Sequence, residues 1–325
     1  MTLKGFDKGN KIMPFSNYPN GFANGLLVRG IPVLQSYPGQ VFWVGNANAS
    51  PVVGEKTESD GNTGTFLAPF ATIVKAMTAV TAGRGDIIVV KPGHTETCTA
   101  AAHLVVKANT AIVGLGAGSY RCTFNFTTAV GASVSFAGAG ASVTNCLFTG
   151  GIDALTGPIS VSAADVTIEN CEYRDVTGEA TDVILTTAAA SRLLVSKYFH
   201  NGADGAGANS AIAIVGGDAI TLRDLKISGN FAVGAIDVRT TATTKLVVRD
   251  ALIKTFHAAD IAIVDTITAS TGWIGPNLFL QLKDNAANIT TAVTGATFVM
   301  FDPVYVVNLA GEKAMLSNWT ASTHA

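Results

Sequence analysis

Four cysteines fall at nearly equal intervals along the chain, with steps of 24, 24 and 25 residues, at Cys98, Cys122, Cys146 and Cys171. The interval continues without cysteine, in steps of 27, 27, 26 and 27 residues, at Tyr198, Leu225, Ala251 and Leu278. A fixed period of roughly 20 to 50 residues is the sequence signature of a stacked repeat. This period constrains the fold more strongly than any other feature of the chain.

The residues around each repeat position alternate between apolar and polar on both sides of a short bend. In one coil, Val166 and Ile168 are predicted to point inward, and Asn170 to stand at the bend. Cys171 and Tyr173 are then predicted to point inward again. The inward position two residues after the cysteine forms a predicted file of Phe124, Phe148, Tyr173, His200, Ile227, Ile253 and Leu280.

Asparagine or aspartate recurs at the bend, and only Arg121 and Lys197 depart from this rule. A bend that needs a left-handed backbone favours these two residue types, because their short polar side chains form local hydrogen bonds. We therefore predict a corner ladder formed by Asn145, Asn170, Asp224, Asp250 and Asn277.

Each coil of 24 to 27 residues contains strand patterns and no helical period of about ten residues, which disfavours the helical repeat proteins. Propeller blades need about 40 residues each. The sequence therefore predicts an all-β fold. It is a parallel β-helix of about eight coils over residues 86–283, with three short sheets wound around one core.

Three further segments flank the predicted coils. Residues 1–44 are expected to form an extended attachment arm, whose apolar contacts come from Tyr18, Phe22, Leu26, Leu27, Phe42 and Trp43. Residues 45–85 are expected to hold a polar loop and then a helix that begins at Pro69 and covers the first coil. Residues 284–325 are expected to form a C-terminal cap and tail, with Thr297–Phe301 and Val304–Val307 as a hairpin or edge pair.

The composition excludes several classes of function. Apolar residues make up 48% of the chain and charged residues only 14%, so a large core can form. The net charge is −2 and basic residues do not cluster, which argues against nucleic acid as a partner. No apolar run is long enough to cross a membrane, and residues 1–15 lack the apolar block of a signal peptide.

The cysteines would permit two disulfides, because residues one coil apart lie about 4.8 Å from each other. Their side chains are expected to point in the same direction into the core. We therefore interpret Cys98, Cys122, Cys146 and Cys171 as a stacked file of buried thiols. The chain has no C-x-x-C pair and its histidines have no metal-ligand spacing, so we predict no metal site and no cofactor.

Acidic residues are the candidates for catalysis, because glycosidases use a pair of carboxyl groups. Asp224 and Asp250 occupy equivalent positions on adjacent coils, and an arginine precedes each of them. The pair is compatible with a retaining glycosidase and also with corner geometry and surface ion pairing; we favour the second interpretation. Glu169 is a further candidate acid and is weighed in the same way.

Residues 60–97 resemble the opening of pectate-lyase-like right-handed β-helix domains. The matching elements are Asp60-Gly61-Asn62, Pro69-Phe70-Ala71-Thr72-Ile73, Gly85-Asp86-Ile87-Ile88-Val89-Val90 and Pro92-Gly93. The corner ladder resembles the asparagine ladder of that superfamily, and the resemblance extends over about two thirds of the chain. It implies a fold rather than an activity. The calcium site of the lyases needs clustered acids beside an arginine, and this sequence has no such cluster.

Low charge, abundant Ala, Gly and Thr, and an irregular N-terminal arm resemble a structural protein of a tailed bacteriophage. This resemblance implies a virion location on the capsid exterior, the major capsid protein or another virion protein as partner, and a homotrimer. We therefore expect a non-enzymatic capsid decoration or head-spike protein. Two alternatives stay open: a tailspike-like enzyme that cleaves bacterial surface polysaccharide, and a β-helix that binds a host surface glycan without cleaving it.

Overall fold

The computed structural model describes residues 26–28, 31–33, 39–46, 53–176, 179–205, 207–257, 261–267, 269–283, 292–294, 298–301, 303–308 and 313–316. The chain divides into two units, Met1–Pro38 and Gly39–Ala325. In the first unit, strands β1 (Leu26–Val28) and β2 (Ile31–Val33) form an antiparallel pair. The second unit contains all the other elements.

The second unit is built almost entirely of short strands. In its first half these are β3 (Val41–Val44), β4 (Ile87–Val90), β5 (Thr95–Thr97), β6 (Leu104–Val106), β7 (Ala111–Gly114), β8 (Cys122–Phe126), β9 (Val134–Phe136), β10 (Ser142–Thr144), β11 (Cys146–Gly150), β12 (Leu155–Val161), β13 (Thr167–Glu169), β14 (Glu172–Asp175) and β15 (Ala180–Thr186). The remaining strands are β16 (Leu194–Ser196), β17 (Phe199–Asn201), β18 (Ser210–Ile214), β19 (Gly217–Asp218), β20 (Thr221–Gly229), β21 (Ile236–Val238), β22 (Thr243–Thr244), β23 (Leu246–Thr255), β24 (Ile263–Asp265), β25 (Gly272–Ile274), β26 (Leu278–Gln281), β27 (Phe298–Met300), β28 (Val304–Val307) and β29 (Lys313–Leu316). A single turn of 3-10 helix lies at Gly118–Tyr120.

All of these strands except β19, β22 and β29 form three parallel sheets, because the chain adds a strand to each sheet as it winds. Sheet 1 contains β3, β4, β7, β10, β13, β16, the first parts of β20 and β23, β25 and β27. Sheet 2 contains β5, β8, β11, β14, β17, the second parts of β20 and β23, β26 and β28. Sheet 3 contains β6, β9, β12, β15, β18, β21 and β24, and the short β19 and β22 pair separately. The fold is a parallel β-solenoid of about eight turns, which confirms the prediction from the repeat period.

Side chains of successive turns lie in line within the core. Phe148 is in register with Phe124, and the two rings stack with centroids 5.0 Å apart. Tyr173 is in register with His200, whose ring stacks on it at 5.2 Å. Ile227 follows His200 in the next turn, so the predicted inward file is confirmed. Each fully buried side chain of this size contributes about 1.5 to 3 kcal/mol relative to its exposed state.

Helix α1 (Ile73–Ala79) packs against β3, β4 and β6 at the first turn of the solenoid. It begins after Thr72 rather than at the predicted Pro69, because the Thr72 hydroxyl caps the helix by accepting a backbone hydrogen bond. Glu96 points inward and accepts a second hydrogen bond from the N–H of Ile73 at 2.8 Å. These two acceptors satisfy N–H groups that a helix start otherwise leaves unpaired.

Strand β3 belongs to the solenoid, which corrects the predicted boundary of the attachment arm. Val41–Val44 pairs in parallel with β4, and Phe42 is buried in the core. The Trp43 ring contacts Phe66 edge-on, with ring centroids 4.9 Å apart. The two units of the chain therefore meet at Pro38 rather than at residue 44. The sequence signal missed this strand because residues 45–86, which include helix α1, separate β3 from its partner β4 along the chain.

The predicted C-terminal hairpin is wrong. Among the described residues, β27 pairs in parallel with β25, β28 pairs in parallel with β26, and the two do not pair with each other. They form one more turn of the solenoid, in which Pro303 stands where Asn277 stands in the turn before. Strand β29 then runs antiparallel to β28, with Lys313 opposite Val307.

A buried aspartate ties the first turn together. Asp86 is fully buried and accepts hydrogen bonds from the backbone N–H groups of Gln40 at 2.7 Å and Thr81 at 2.8 Å. The Arg84 guanidinium donates to both of its oxygens at 2.7 Å. Burial opposes the charged form, but these donors outweigh it and lower the pKa of Asp86 to about 2.

Candidate functional site

The corner between sheets 1 and 2 has the backbone that the sequence predicts. Left-handed φ angles between 51° and 60° occur at Asn145, Asn170, Asp224, Asp250 and Asn277. The Asn170 amide Nδ2 donates to Oδ1 of Asn145 at 3.1 Å, and the Asn277 amide donates to Oδ1 of Asp250 at 2.8 Å. Asn145 in turn donates to the carbonyl oxygen of Gly114 at 2.8 Å. The corner residues therefore link successive turns as well as forming the bend.

The two corner positions without Asn or Asp differ from each other. Lys197 adopts the left-handed backbone with a φ of 51°, although its side chain offers no local hydrogen bond to support it. Its ammonium group lies 3.3 Å from Oε1 of Glu169. Arg121 avoids the left-handed region with a φ of −73°, and its guanidinium pairs with Glu172. Lys197 is thus the strained member of the ladder.

The candidate acids Asp224 and Asp250 lie on adjacent turns, because Leu225 is in register with Ala251. Both oxygens of Asp250 are occupied: Arg249 donates to Oδ2 at 2.9 Å, and the corner amide of the next turn donates to Oδ1. Asp224 is half exposed, and Nε of Arg223 lies 4.0 Å from its Oδ2. Each acid is paired with the arginine that precedes it, as one of the two interpretations from sequence expects.

Glu169 lies apart from this pair. It is on strand β13, in register with Ser196 and then with Arg223, so two turns separate it from the turn that carries Asp224. Its partner is the Lys197 ammonium group. The structure therefore brings two of the three candidate acids onto neighbouring turns and leaves the third in a separate surface ion pair.

A shallow depression of about 400 Å³ runs along sheet 2 beside this corner. Its lining combines the two acids with apolar and basic side chains: Lys197, Phe199, Asp224, Leu225, Lys226, Asp250, Ala251, Leu252, Asn277 and Phe279. The Lys226 ammonium group lies 5.0 Å from the centre of the Phe199 ring. A second depression of about 300 Å³ lies farther along the same sheet, beside Phe279 and Tyr305. Only the first of these depressions is lined by candidate acids, so it is the surface where a ligand could contact Asp224 and Asp250.

Chemically, the corner suits binding better than bond cleavage. A glycosidase needs one carboxyl group that holds a proton and a second that acts as base or nucleophile. A carboxyl group keeps its proton when apolar groups enclose it. Asp224 and Asp250 instead face solvent in part, and each has a cation as its neighbour. The amide, carboxylate and aromatic groups of the depression are those that recognise polar ligands.

The predicted arm residues fall into three groups. Tyr18 and Phe22 lie outside the described residues. Leu26 and Leu27 belong to β1 in the N-terminal unit. Phe42 and Trp43 belong to the solenoid, so they are core and near-core residues rather than arm residues.

The cysteine file holds for three of its four members. Cys146 is in register with Cys122, and Cys171 follows in the next turn, because Leu147 is in register with Glu172. Cys98 is out of phase: the pairing of β5 with β8 places it beside Phe126, and His94 takes the place beside Cys122. The equal spacing at Cys98 is therefore a coincidence, because that turn contains 28 residues rather than 24.

All four cysteines are buried free thiols. Burial raises the pKa of Cys98 to about 12, and it raises the pKa of Cys171 well above the usual range of a thiol. The Cys122 thiol and burial together raise the pKa of Cys146. A thiol that stays protonated is a weak nucleophile, so Cys98, Cys146 and Cys171 act as small apolar groups.

A second ladder at the corner between sheets 3 and 1 was not predicted. Its charges alternate from turn to turn: Arg192 donates to both oxygens of Asp165 at 2.6 and 2.8 Å, and Lys245 lies 3.1 Å from Asp218. Asp165, Arg192 and Lys245 have left-handed φ angles of 61°, 55° and 53°. These residues recur with the same period as the coils, but the period was not recognised because acidic and basic residues alternate along it. Their contacts are structural, since each charge is paired with a neighbouring turn.

Within the described ranges, no group of three or more His, Cys, Asp or Glu side chains is arranged to hold a metal ion. No helix in the described part of the chain is long and apolar enough to span a membrane. Comparison with known protein families, with curated proteins and with solved structures gives no match.

Proposed function

We propose that this chain is a non-enzymatic structural protein of a tailed bacteriophage virion, held on the capsid exterior through its N-terminal unit. The observation that carries the non-enzymatic part is the environment of Asp250. Both of its oxygens accept hydrogen bonds inside the corner, from Arg249 and Asn277. A carboxylate occupied in this way is a poor nucleophile and a poor acid.

The solenoid suits a display role. Each inner turn pairs with the turn before it and the turn after it, so opening one turn breaks contacts on both sides. Local opening is the event that exposes a chain to proteases, and such coupling makes it rare. A stiff, resistant body is what a virion protein needs outside the capsid.

The resemblance in composition and N-terminal organisation to phage structural proteins supplies the remaining parts of the proposal. The partner of the N-terminal unit is the major capsid protein or another virion protein. The solenoid assembles as a homotrimer, which multiplies a weak attachment by avidity. The contribution to the virion is a capsid decoration or head spike.

Co-sedimentation with empty heads of the virus that encodes this chain tests the proposal. The full-length chain should pellet with the heads. A chain that lacks residues 1–38 should stay in the supernatant, and it should keep its circular dichroism spectrum because β3 and the rest of the solenoid are intact. Equal pelleting of the two chains would overturn the proposed attachment.

The depression beside the corner supports a second candidate, a solenoid that binds or cleaves a bacterial surface polysaccharide. It places Phe199 and Phe279 along one sheet with Asp224 and Asp250 at its side. Aromatic faces and carboxylates together recognise sugar rings and their hydroxyl groups. Binding of host polysaccharide that Phe199→Ala weakens at least tenfold would favour this candidate over the structural one.

A further inference from the structure

Two columns of apolar side chains stand on the outer surface of the last turns of the solenoid, on either side of one corner. Column A, on sheet 1, consists of Val247, Trp273 and Val299. Column B, on sheet 2, consists of Leu252, Phe279 and Tyr305. Five of these six side chains are exposed, with Trp273 at 47% and Phe279 at 50%.

The two columns lie at the same heights along the solenoid. Each of the three turns contributes one residue to column A and, a few residues later, one residue to column B. Val247 and Leu252 share a strand, and Trp273 and Phe279 lie within one turn. The columns are therefore level with each other and separated only by the corner.

The same outward positions hold a mixture of polar and apolar residues in earlier turns. The line of column A passes through Thr167, Leu194 and Thr221 before it reaches Val247. The line of column B passes through Glu172 and Lys226, although Phe199 stands between them. Leu194 and Phe199 make both lines apolar in one earlier turn, but among the described residues both lines are apolar in consecutive turns only over the last three turns. A large apolar patch on a soluble protein marks an interaction surface.

Aromatic contacts already organise both columns. The rings of Phe279 and Tyr305 stack with centroids 5.3 Å apart, and the second depression lies beside them. The ring of Trp273 lies 6.5 Å from that of Phe301, which extends column A toward the corner. The side chains are therefore held in place before any partner arrives, which lowers the entropy cost of association.

We propose that the partner of these columns is a second copy of this chain, with column A of one copy packed on column B of the next. Rotation about an axis parallel to the stacking direction leaves the height of each residue unchanged. Two contacting columns must therefore lie at the same height on their two faces, as columns A and B do. Contacts of this kind join different faces and close into a ring. A face-to-face dimer would instead pair column B with itself and leave column A exposed.

The charges at the corner permit this packing. Asp250 stands between the columns and would approach the ring axis in every copy. Its pairing with Arg249 and with the amide of Asn277 means that the copies do not bring bare carboxylates together. The packing of column A on column B is inferred only from the two columns and from these contacts at the corner. Its closure with three copies rests on the proposed function, which names a homotrimer.

The experiment measures the mass of the full-length chain in solution by sedimentation over a range of concentrations. The unmodified chain should sediment as a trimer. Trp273→Glu removes column A and Phe279→Glu removes column B, and each should weaken association by about 100-fold or more. Val105→Glu changes an equally exposed side chain on sheet 3 and is the matched control, which should sediment like the unmodified chain.

A mixture of the two column variants distinguishes the ring from other assemblies. The intact column A of Phe279→Glu can meet the intact column B of Trp273→Glu, so the mixture should form one-to-one complexes although each variant alone is a monomer. A monomeric unmodified chain, variants that keep its mass, or a mixture that stays monomeric would each overturn the proposal. The head-binding experiment removes only residues 1–38 and leaves both columns intact, so its failure is separate from a failure here.

Discussion

The side chain of Asn277 donates a hydrogen bond from Nδ2 to Oδ1 of Asp250 in the preceding turn, at 2.8 Å. The donor stands in a left-handed bend with a φ of 60°. One amide thus links two turns and occupies an oxygen of a candidate catalytic acid. The same bond stabilises the corner and, under the proposed function, leaves Asp250 poorly suited to catalysis.

Replacing Asn277 separates the backbone from the hydrogen bond. Asn277→Gly should lower the free energy of unfolding by about 1 kcal/mol, because it loses the bond but tolerates the bend. Asn277→Ala should cost about 1 to 2 kcal/mol more, because alanine is strained in the left-handed region. Urea denaturation followed by circular dichroism measures both. Equal losses for the two variants would show that the bend itself carries no strain.

Lys197 offers the opposite test, because it holds a left-handed φ of 51° without a supporting side chain. Lys197→Asn should raise the free energy of unfolding by about 0.5 to 1 kcal/mol, since the ion pair of Lys197 with Glu169 is exposed and its loss costs little. Arg121→Asn is the matched control at the corner position with a φ of −73°, and it should give no gain. A stabilised control, or a destabilised Lys197→Asn, would contradict the corner account.

Asp86 makes the first turn sensitive to acid. Its pKa is lowered to about 2 in the folded chain, so its contribution to stability is complete above about pH 4 and is lost as the pH falls toward 2. Asp86→Asn should cost about 2 to 4 kcal/mol at pH 7, because it leaves buried donors on Gln40 and Thr81 poorly satisfied.

Hydrogen exchange of β3 and α1 at pH 7 measures the effect of Asp86→Asn locally. Asp60→Asn is the matched control. Asp60 is exposed and accepts hydrogen bonds from the backbone N–H groups of Ala71 and Thr72, just before the same helix, so its replacement should lower the free energy of unfolding less than Asp86→Asn does. If Asp86→Asn left the hydrogen exchange of α1 and β3 unchanged, Asp86 would not stabilise the first turn.

His200 predicts a second dependence on pH. Burial lowers its pKa from 6.5 to about 3, so the unfolded chain binds a proton that the folded chain does not. Stability is therefore complete above about pH 6.5 and falls as the pH drops toward 3, by at most about 1.4 kcal/mol per unit. In His200→Phe this part of the slope should disappear. Urea midpoints between pH 7.5 and 4.5 measure the difference, and parallel curves for the two proteins would contradict it.

Much of the fold could be predicted from the sequence, because equivalent positions of a stacked repeat have the same environment and recur once per turn. The corner at Asn145 and Asn170 was predicted, since a left-handed bend restricts the residue types that can occupy it. The inward file from Phe124 was predicted for a similar reason, because its members share one buried position. Positions that only a few residue types can occupy therefore show a recurring pattern of those types in the sequence.

The errors arose where spacing alone had to fix the register. Cys98 matched the interval, but the longer first turn moved it to the position beside Phe126. The sequence around Pro303 suggested a hairpin, although the strand partners of β27 and β28 lie one turn earlier. The apolar columns were missed because an outward valine or tryptophan at strand spacing looks like part of an ordinary sheet until the turns are aligned.

Release of oligosaccharides from the surface polysaccharide of the host tests the central claim most directly. The full-length chain is incubated with the polysaccharide and the soluble products are measured by mass spectrometry. The structural account predicts no release above that of a buffer control, for the unmodified chain and for Asp224→Asn and Asp250→Asn alike. The account would be contradicted if the unmodified chain released oligosaccharides, if Asp224→Asn or Asp250→Asn abolished this release, and if Lys197→Asn left it intact. Such a result would show that the corner acids are catalytic.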